Sequence, residues 1–189
     1  MQIGETLYVT DREKWREWLS KNYDKKKEIW LVYYNKASGK PRIPYNDSVE
    51  EALCYGWIDG ILKKIDNEKF AQRFSPRRKT SILSEMNKQR IRNMIKQKRM
   101  TPAGLKAVAH AFDKKKDKEE KFIIPEEILS KIKKNKQAWI NFQKFPEHYK
   151  RIRIAYIGHH GERSEEEFRK KLDYFIKMTE KNKRFGMMK

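Results

Sequence analysis

Between Cys54 and Thr80 the chain reads CYGWIDGILKKIDNEKFAQRFSPRRKT, which places Asp59 between Gly56 and Gly60 and follows it with Arg73, Arg77 and Arg78. A carboxylate in an otherwise apolar stretch is costly unless it is paired or used. Asp59 could accept hydrogen bonds from a ligand, with the flanking glycines allowing positive φ or a close backbone approach. It could equally belong to a helix C-cap and pair with Arg73 or Arg77, a structural use. The second group of interest is Phe74-Ser75-Pro76-Arg77-Arg78-Lys79-Thr80-Ser81, just ahead of a helical pattern. Unpaired backbone N–H groups at a helix start, the positive end of the dipole and nearby guanidinium groups together suit an anion. Ser75, Thr80, Ser81 and Ser84 would add hydroxyl donors, although a capped helix behind a solvated basic turn would read the same way. Asn87 falls in the apolar stripe of that helix, where its amide needs a hydrogen-bonding partner in the fold or in a ligand. The expected ligand- or anion-binding set is therefore Trp57, Asp59, Arg73, Ser75, Arg77, Arg78, Ser81, Ser84 and Asn87.

No catalytic or metal-binding set and no cofactor is expected. His159-His160-Gly161 lacks further ligands at tetrahedral spacing, and a helix end accounts for it. There is no G-x-S-x-G elbow, phosphate-binding Walker loop or dinucleotide fingerprint. The pairs Trp15/Trp18 and Tyr33/Tyr34 have the spacing of core residues rather than of a base-stacking surface, and an RNP1 pattern is absent.

The elements that must position these residues follow from periodicity. Leu7–Val9 is a short strand candidate. Thr10 and Glu13 form a capping box ahead of a helix carrying Trp15, Trp18, Leu19 and Tyr23 on one face. Ile29–Tyr34 is a continuous apolar run of strand length, expected at the centre of a sheet. A turn-rich loop with Gly39, Pro41 and Pro44 leads to a second capping box, Ser48 with Glu51. The helix that follows is predicted to carry Val49, Ala52, Leu53, Gly56 and Trp57, with Gly60 near its stop. Ile61–Ile65 and Phe70–Phe74 read as strands joined by the polar turn Asp66–Lys69. The next helix starts at Ser81 or Ser84 and buries Asn87, Ile91, Met94 and Ile95. Thr101-Pro102 opens another, with Leu105, Val108, Ala109 and Phe112 buried.

Beyond the charge-only run Asp113–Lys121 the strand signal ends. Helices are marked by Pro125 with Ile128, Leu129 and Ile132; by Ala138, Trp139 and Phe142; and by Tyr149, Ile152, Ala155 and Tyr156. A last one is capped by Ser164 and Glu167 and carries Phe168, Leu172, Phe175 and Ile176. The expected architecture is α+β: a small antiparallel sheet of about four strands packed with helices over residues 1–112, a linker over 113–121, and a helical unit over 122–189.

The 189 residues suffice for one sizeable domain or a domain with an appendage, and nine Phe, nine Tyr and five Trp supply a core despite 38% hydrophobic content. Lys+Arg 46 against Asp+Glu 26 gives a formal charge of +20. That excess suits a polyanionic partner, or reflects a proteome in which Lys decorates every solvated face. The single cysteine, Cys54, falls on an apolar helix face and excludes an intrachain disulfide. With no secretory pattern at the N-terminus and no apolar window near about 18 residues, a cytoplasmic protein without a membrane span is expected.

EEALCYGWIDG, RFSPRRKTSILSEMN and RMTPAGLKAV, taken with IPEEILSKIKKNKQAWINFQKFPEHYKRIRIAYI, resemble the YdeI/OmpD-associated (OmdA) family of bacteriocin-protection proteins. The resemblance runs from about Trp15 to Lys183. Its signature falls on Trp57, Asp59, Gly60, Asp66, Arg73, Pro76, Arg77, Arg78, Ser81, Ser84 and Asn87, then on Met100, Thr101, Pro102, Ala103 and Gly104. Leu83 replaces the family's aromatic residue, and the family's Thr-Arg segment is matched only loosely by Gly161-Glu162-Arg163-Ser164. The resemblance implies a cytoplasmic protein associated with tolerance to bacteriocins or stress, and no catalytic reaction. Three readings follow: a non-enzymatic binding module for a small anionic or polar ligand, a weak and sequence-independent nucleic-acid binder, and an enzyme of unknown reaction.

Overall fold

The computed structural model describes residues 2–113, 121–158 and 164–187. They fall into two compact units, Met1–Leu83 with Arg90–Lys114 and Ser84–Gln89 with Lys115–Lys189.

The first unit contains β1 (Thr6–Leu7), α1 (Arg12–Asn22), β2 (Ile29–Tyr34), α2 (Tyr45–Cys54), β3 (Trp57–Lys64), β4 (Lys69–Pro76), the later turns of α3 (Glu85–Lys96) and α4 (Pro102–Val108). The four strands lie in the order β1-β2-β4-β3. Pairs β2–β4 and β3–β4 are antiparallel, but β1 runs parallel to β2, with Thr6 opposite Trp30 and Leu7 opposite Leu31. The sheet is therefore mixed rather than antiparallel. α1 is the reason: it carries the chain back between β1 and β2, and such a crossover leaves the two strands pointing the same way. Ile29, Trp30, Leu31 and Tyr33 are buried, as expected of a central strand.

Several boundaries differ from those the capping patterns predict. Asp11, not Thr10, caps α1, its Oδ1 accepting from Lys14 N at 2.9 Å. Thr10 instead donates to the Asp11 carboxylate, and a carboxylate also complements the helix dipole. α2 starts at Tyr45 behind Pro44, so Ser48 and Glu51 lie inside it, fully buried. Ser48 Oγ donates to Tyr45 O and accepts from Tyr33 Oη, both at 2.7 Å, which occupies the hydroxyl that a cap would use. α2 ends at Cys54 and Gly56 reverses the chain at φ +77°, so Trp57 opens β3 instead of extending the helix.

β3 slips register between Asp59, opposite Phe74, and Leu62, opposite Gln72. One extra residue on β3 makes a bulge, and Gln72 Nε2 fills it by donating to Gly60 O at 2.6 Å. The hairpin tip is an Asx turn in which Asp66 Oδ1 accepts from Glu68 N and Lys69 N. Trp15, Leu19, Leu31, Val49, Leu53, Trp57, Phe74 and Ile91 fill the core between sheet and helices. Leu105 and Ala109, expected on the buried face of α4, are exposed; Val108 and Phe112 carry that face.

In the second unit, α5 (Glu126–Lys134), α6 (Lys136–Lys144), α7 (Glu147–Ile157) and α8 (Glu165–Glu180) enclose a core that includes Ile128, Ile132, Phe142, Tyr149, Leu172 and Phe175. Ser164 caps α8 as its spacing predicts. Tyr156 and Ala155, expected in the buried stripe of α7, are exposed, while Arg153 and Ile157 are buried. The first turn of α3 belongs to this unit, and Ser84 Oγ accepts there from Asn87 N at 3.2 Å. His159-His160-Gly161 and most of the Asp113–Lys121 run lie outside the described residues. No helix among the described residues is long and apolar enough to cross a membrane.

Candidate functional site

The corner where α2 passes into β3 is locked from outside by α4. A Cβ at Gly104 would lie 2.1 Å from Cys54 O and 2.6 Å from its carbonyl carbon, and one at Gly56 would lie 2.5 Å from Ala107 Cβ. Thr101 Oγ1 donates to Cys54 O at 2.6 Å and accepts from Gly104 N at 3.1 Å, while Thr101 N donates to the same carbonyl at 3.1 Å. Two sequence motifs, YGWIDG and MTPAG, are thus the two sides of one backbone contact. Arg77 N donates to Gly56 O at 2.9 Å, which ties the start of the basic turn to the same corner.

Trp57 is part of this architecture. Its ring is buried, stands edge-on to Trp18 at 5.8 Å between centroids, and its Nε1 donates to Tyr23 O at 2.9 Å. Asp59 lies one strand residue beyond Ile58, partly buried, with Oδ2 accepting from Tyr45 Oη at 2.6 Å. Burial, and the hydrogen bond to Asp59, push the Tyr45 hydroxyl above its ordinary range, so it stays a donor. The expected Asp59–arginine pair is not formed among the described residues. Arg73 instead pairs with Glu28, Nε and Nη2 each 2.7 Å from Oε2, and its hydrogen bond lowers the Glu28 pKa. Strand alternation explains this: Asp59 is opposite Phe74, so Arg73 and Ser75 face the other side of the sheet.

Arg77 reaches the Asp59 side. Its Nη2 donates to Ile82 O at 3.0 Å and to Ser81 O at 3.4 Å, bracing the loop ahead of α3. Its Nε is buried and has no hydrogen-bond partner among the described residues. Burial lowers the basicity of this guanidinium, and the negative charge of Asp59 offsets part of that loss. Arg90 of α3, 4% exposed, also feels the Asp59 charge, and its Nη2 donates to Asn46 Oδ1 at 2.8 Å. Burial again depresses it, against the opposing influence of Tyr45, Asp59 and Glu50. Arg78 is exposed, and Ser81 Oγ closes its own turn on Arg78 O at 2.7 Å. Of the sequence-derived set, then, Asp59 and Arg77 share one environment, with Trp57 behind them. Ser84 and Asn87 belong to the other unit.

The sequence reading missed Tyr45, Asn46 and Arg90. Arg90 was within reach of it, because positions 87, 90, 91 and 94 share one helical face.

It also missed the buried charge network under the corner. Glu51 is fully buried and accepts from Arg12 Nε, from Arg16 Nη1 at 2.5 Å and from Arg99 Nε at 2.9 Å. Arg12 also reaches Glu50 at 2.9 Å, and Arg99 reaches Glu13 at 3.0 Å. Burial works against the Arg12 and Arg16 guanidinium groups, but Glu51 more than offsets it, and both are more basic than usual.

Cys54, at the same corner, is buried, and burial pushes its thiol up to about 11. The native protein is therefore expected to resist iodoacetamide at pH 8 and to label rapidly once unfolded in guanidinium chloride. Stability gained by keeping the thiol neutral is present below its ordinary value of 9.0 and is lost as the pH rises towards about 11. Equal labelling of the native and unfolded protein would contradict the burial.

Residues 7–107 match the family model described as Domain of unknown function (DUF8412). Residues 121–182 match the one described as Bacteriocin-protection, YdeI or OmpD-Associated. No curated protein and no solved structure matches the chain.

Proposed function

We propose, for a chain that belongs to the DUF8412 family and carries a bacteriocin-protection, YdeI or OmpD-associated domain, that its first unit is a binding module for a small anionic ligand held at Arg77 beside the Tyr45–Asp59 pair. One observation carries the reading. Arg77 has a buried Nε without a hydrogen-bond partner among the described residues, while Asp59, the carboxylate whose charge acts on it, accepts from Tyr45. A half-buried guanidinium whose Nε lacks a hydrogen-bond partner among the described residues, and whose acting carboxylate is already hydrogen-bonded to Tyr45, suits an incoming carboxylate or phosphate. Asp59 then suits a hydroxyl or amine on the same ligand. The Cys54 thiol of the neighbouring corner is buried and pushed up to about 11, so it offers no ready nucleophile, which supports binding over catalysis. The match of residues 121–182 to the bacteriocin-protection, YdeI or OmpD-associated model supports extending this reading to a role in bacteriocin tolerance, with a cytoplasmic setting as part of the same proposal.

The test is titration of the full chain with inorganic phosphate, followed by calorimetry, for the native protein and for Arg77→Ala. Loss of a charge-assisted contact should weaken binding about tenfold or more, while the melting temperature should fall only by what the two loop hydrogen bonds of Arg77 contribute. A large loss of melting temperature with unchanged phosphate affinity would make Arg77 architecture and remove the proposal. The formal charge of +20 favours a second reading, weak sequence-independent nucleic-acid binding. That reading requires affinity for any duplex to fall steeply with salt and to be indifferent to Arg77→Ala.

A further inference from the structure

The second unit holds a buried cation that no carboxylate among the described residues neutralises. Arg153 of α7 is 7% exposed, and its Nε is buried without a hydrogen-bond partner among the described residues. Its guanidinium lies 5.0 Å from the Phe185 ring centroid, 5.6 Å from that of Tyr156 and 5.8 Å from that of Tyr149. The chain at Gly186 presses close to it: a Cβ there would lie 2.7 Å from Nη2. Burial lowers the basicity of the group. Aromatic faces recover part of the desolvation cost, but they supply no counter-charge. Arg153 lines a cavity of about 380 Å³ between α7, α8 and the segment around Phe185. Its other walls are mostly apolar and aromatic, with Tyr156, Ile157, Tyr174 and Phe175 prominent. The two rim lysines are already balanced, Lys170 by Glu166 at 2.6 Å and Lys171 by Glu167 at 3.3 Å. The charge facing the cavity without a carboxylate among the described residues is therefore that of Arg153.

We propose that this cavity is a binding site for a small aromatic carboxylate, its carboxylate on Arg153 and its ring between Tyr156, Tyr174 and Phe185. The volume lies at the small end of the range for organic ligands, about 300–1,000 Å³, and a concave apolar wall with a single convergent charge is the usual form of such sites. The charge fixes orientation and the rings supply buried area, so affinity should require both parts of the ligand.

The experiment uses the full chain with benzoate and its neutral isostere benzamide, followed by ligand-observed NMR and calorimetry. Benzoate should bind about tenfold or more tightly than benzamide. Arg153→Met should abolish that preference while leaving benzamide binding in place. Tyr174→Ala, a change at a half-exposed ring, should weaken both ligands, and Arg77→Ala, in the other unit, should affect neither. If Arg153→Met does not fold, the benzoate-to-benzamide ratio of the native protein and the Tyr174→Ala effect decide the matter. Equal binding of the two ligands, binding of neither, or benzoate affinity untouched by Tyr174→Ala or by a folded Arg153→Met overturns the proposal.

Discussion

Glu51→Ala is expected to remove about 3–5 kcal/mol of stability, enough to leave many domains of this size unfolded at physiological temperature. The side chain is fully buried in α2 and is the common acceptor of Arg12 and Arg16 from α1 and Arg99 from the loop after α3. Deleting it leaves three partly buried guanidinium groups facing one another, with Asp47, Glu50 and Glu13 as remaining carboxylate partners towards the solvent. Repulsion and unsatisfied donors add to the lost contact, which is why truncating one member of a buried network costs far more than the network contributes relative to an apolar replacement. Glu51→Gln keeps the shape and one acceptor oxygen and should fall between Glu51→Ala and the native protein. Glu17→Ala provides the contrast: its pair with Lys21 at 2.6 Å is exposed on both sides, and such pairs contribute little. Urea denaturation of the three variants measures the difference. Equal midpoints for Glu51→Ala and Glu17→Ala would show that the network is not a structural centre.

What the sequence made legible was local. Ile29–Tyr34 read as a central strand because a strand buried on both faces is a short continuous apolar run, and it occupies that position. The hairpin at Asp66–Lys69 and the caps Thr101 and Ser164 were legible because one side chain and the backbone three residues on suffice to define them. The parallel pairing of β1 was not, since two residues show no period and direction is decided by where α1 returns the chain. Ser48 and Glu51 misled for a physical reason: the residue types that make a capping box also satisfy a buried polar cluster, here with Tyr33 and three arginines distant in sequence. Among the candidate site residues, Arg77 was marked by its place after Pro76 and before a helix. Arg73 was marked equally, but strand alternation sends it to Glu28. The Tyr45 partner of Asp59 carries no spacing signal, because α2 and β3 meet only through the fold.

Gly104→Ala should cost about 3 kcal/mol, the upper end for one added methyl group in a packed interior, and should weaken anion binding at Arg77 as well. The added carbon would sit 2.1 Å from Cys54 O, 2.6 Å from Cys54 C and 2.9 Å from Leu53 O, all of them backbone that no rotamer change can move. Relief requires α4 to lift away from the end of α2. That movement stretches both Thr101 bonds to Cys54 O, now 2.6 and 3.1 Å, and leaves a buried carbonyl short of donors. The same movement shifts Gly56, which packs against Ala103 and Ala107 of α4, and passes through Gly56 O to the backbone N–H of Arg77 at 2.9 Å. Gly60→Ala, in the same motif, is the control. Its nearest neighbour would be 3.7 Å away in ordinary contact, so stability should change by no more than about 0.5 kcal/mol. Thermal denaturation and phosphate titration of the two variants separate the readings. If Gly104→Ala melts like Gly60→Ala, the MTPAG segment is not a steric contact. If it is destabilised yet binds phosphate with native affinity, the corner holds the fold together without positioning Arg77.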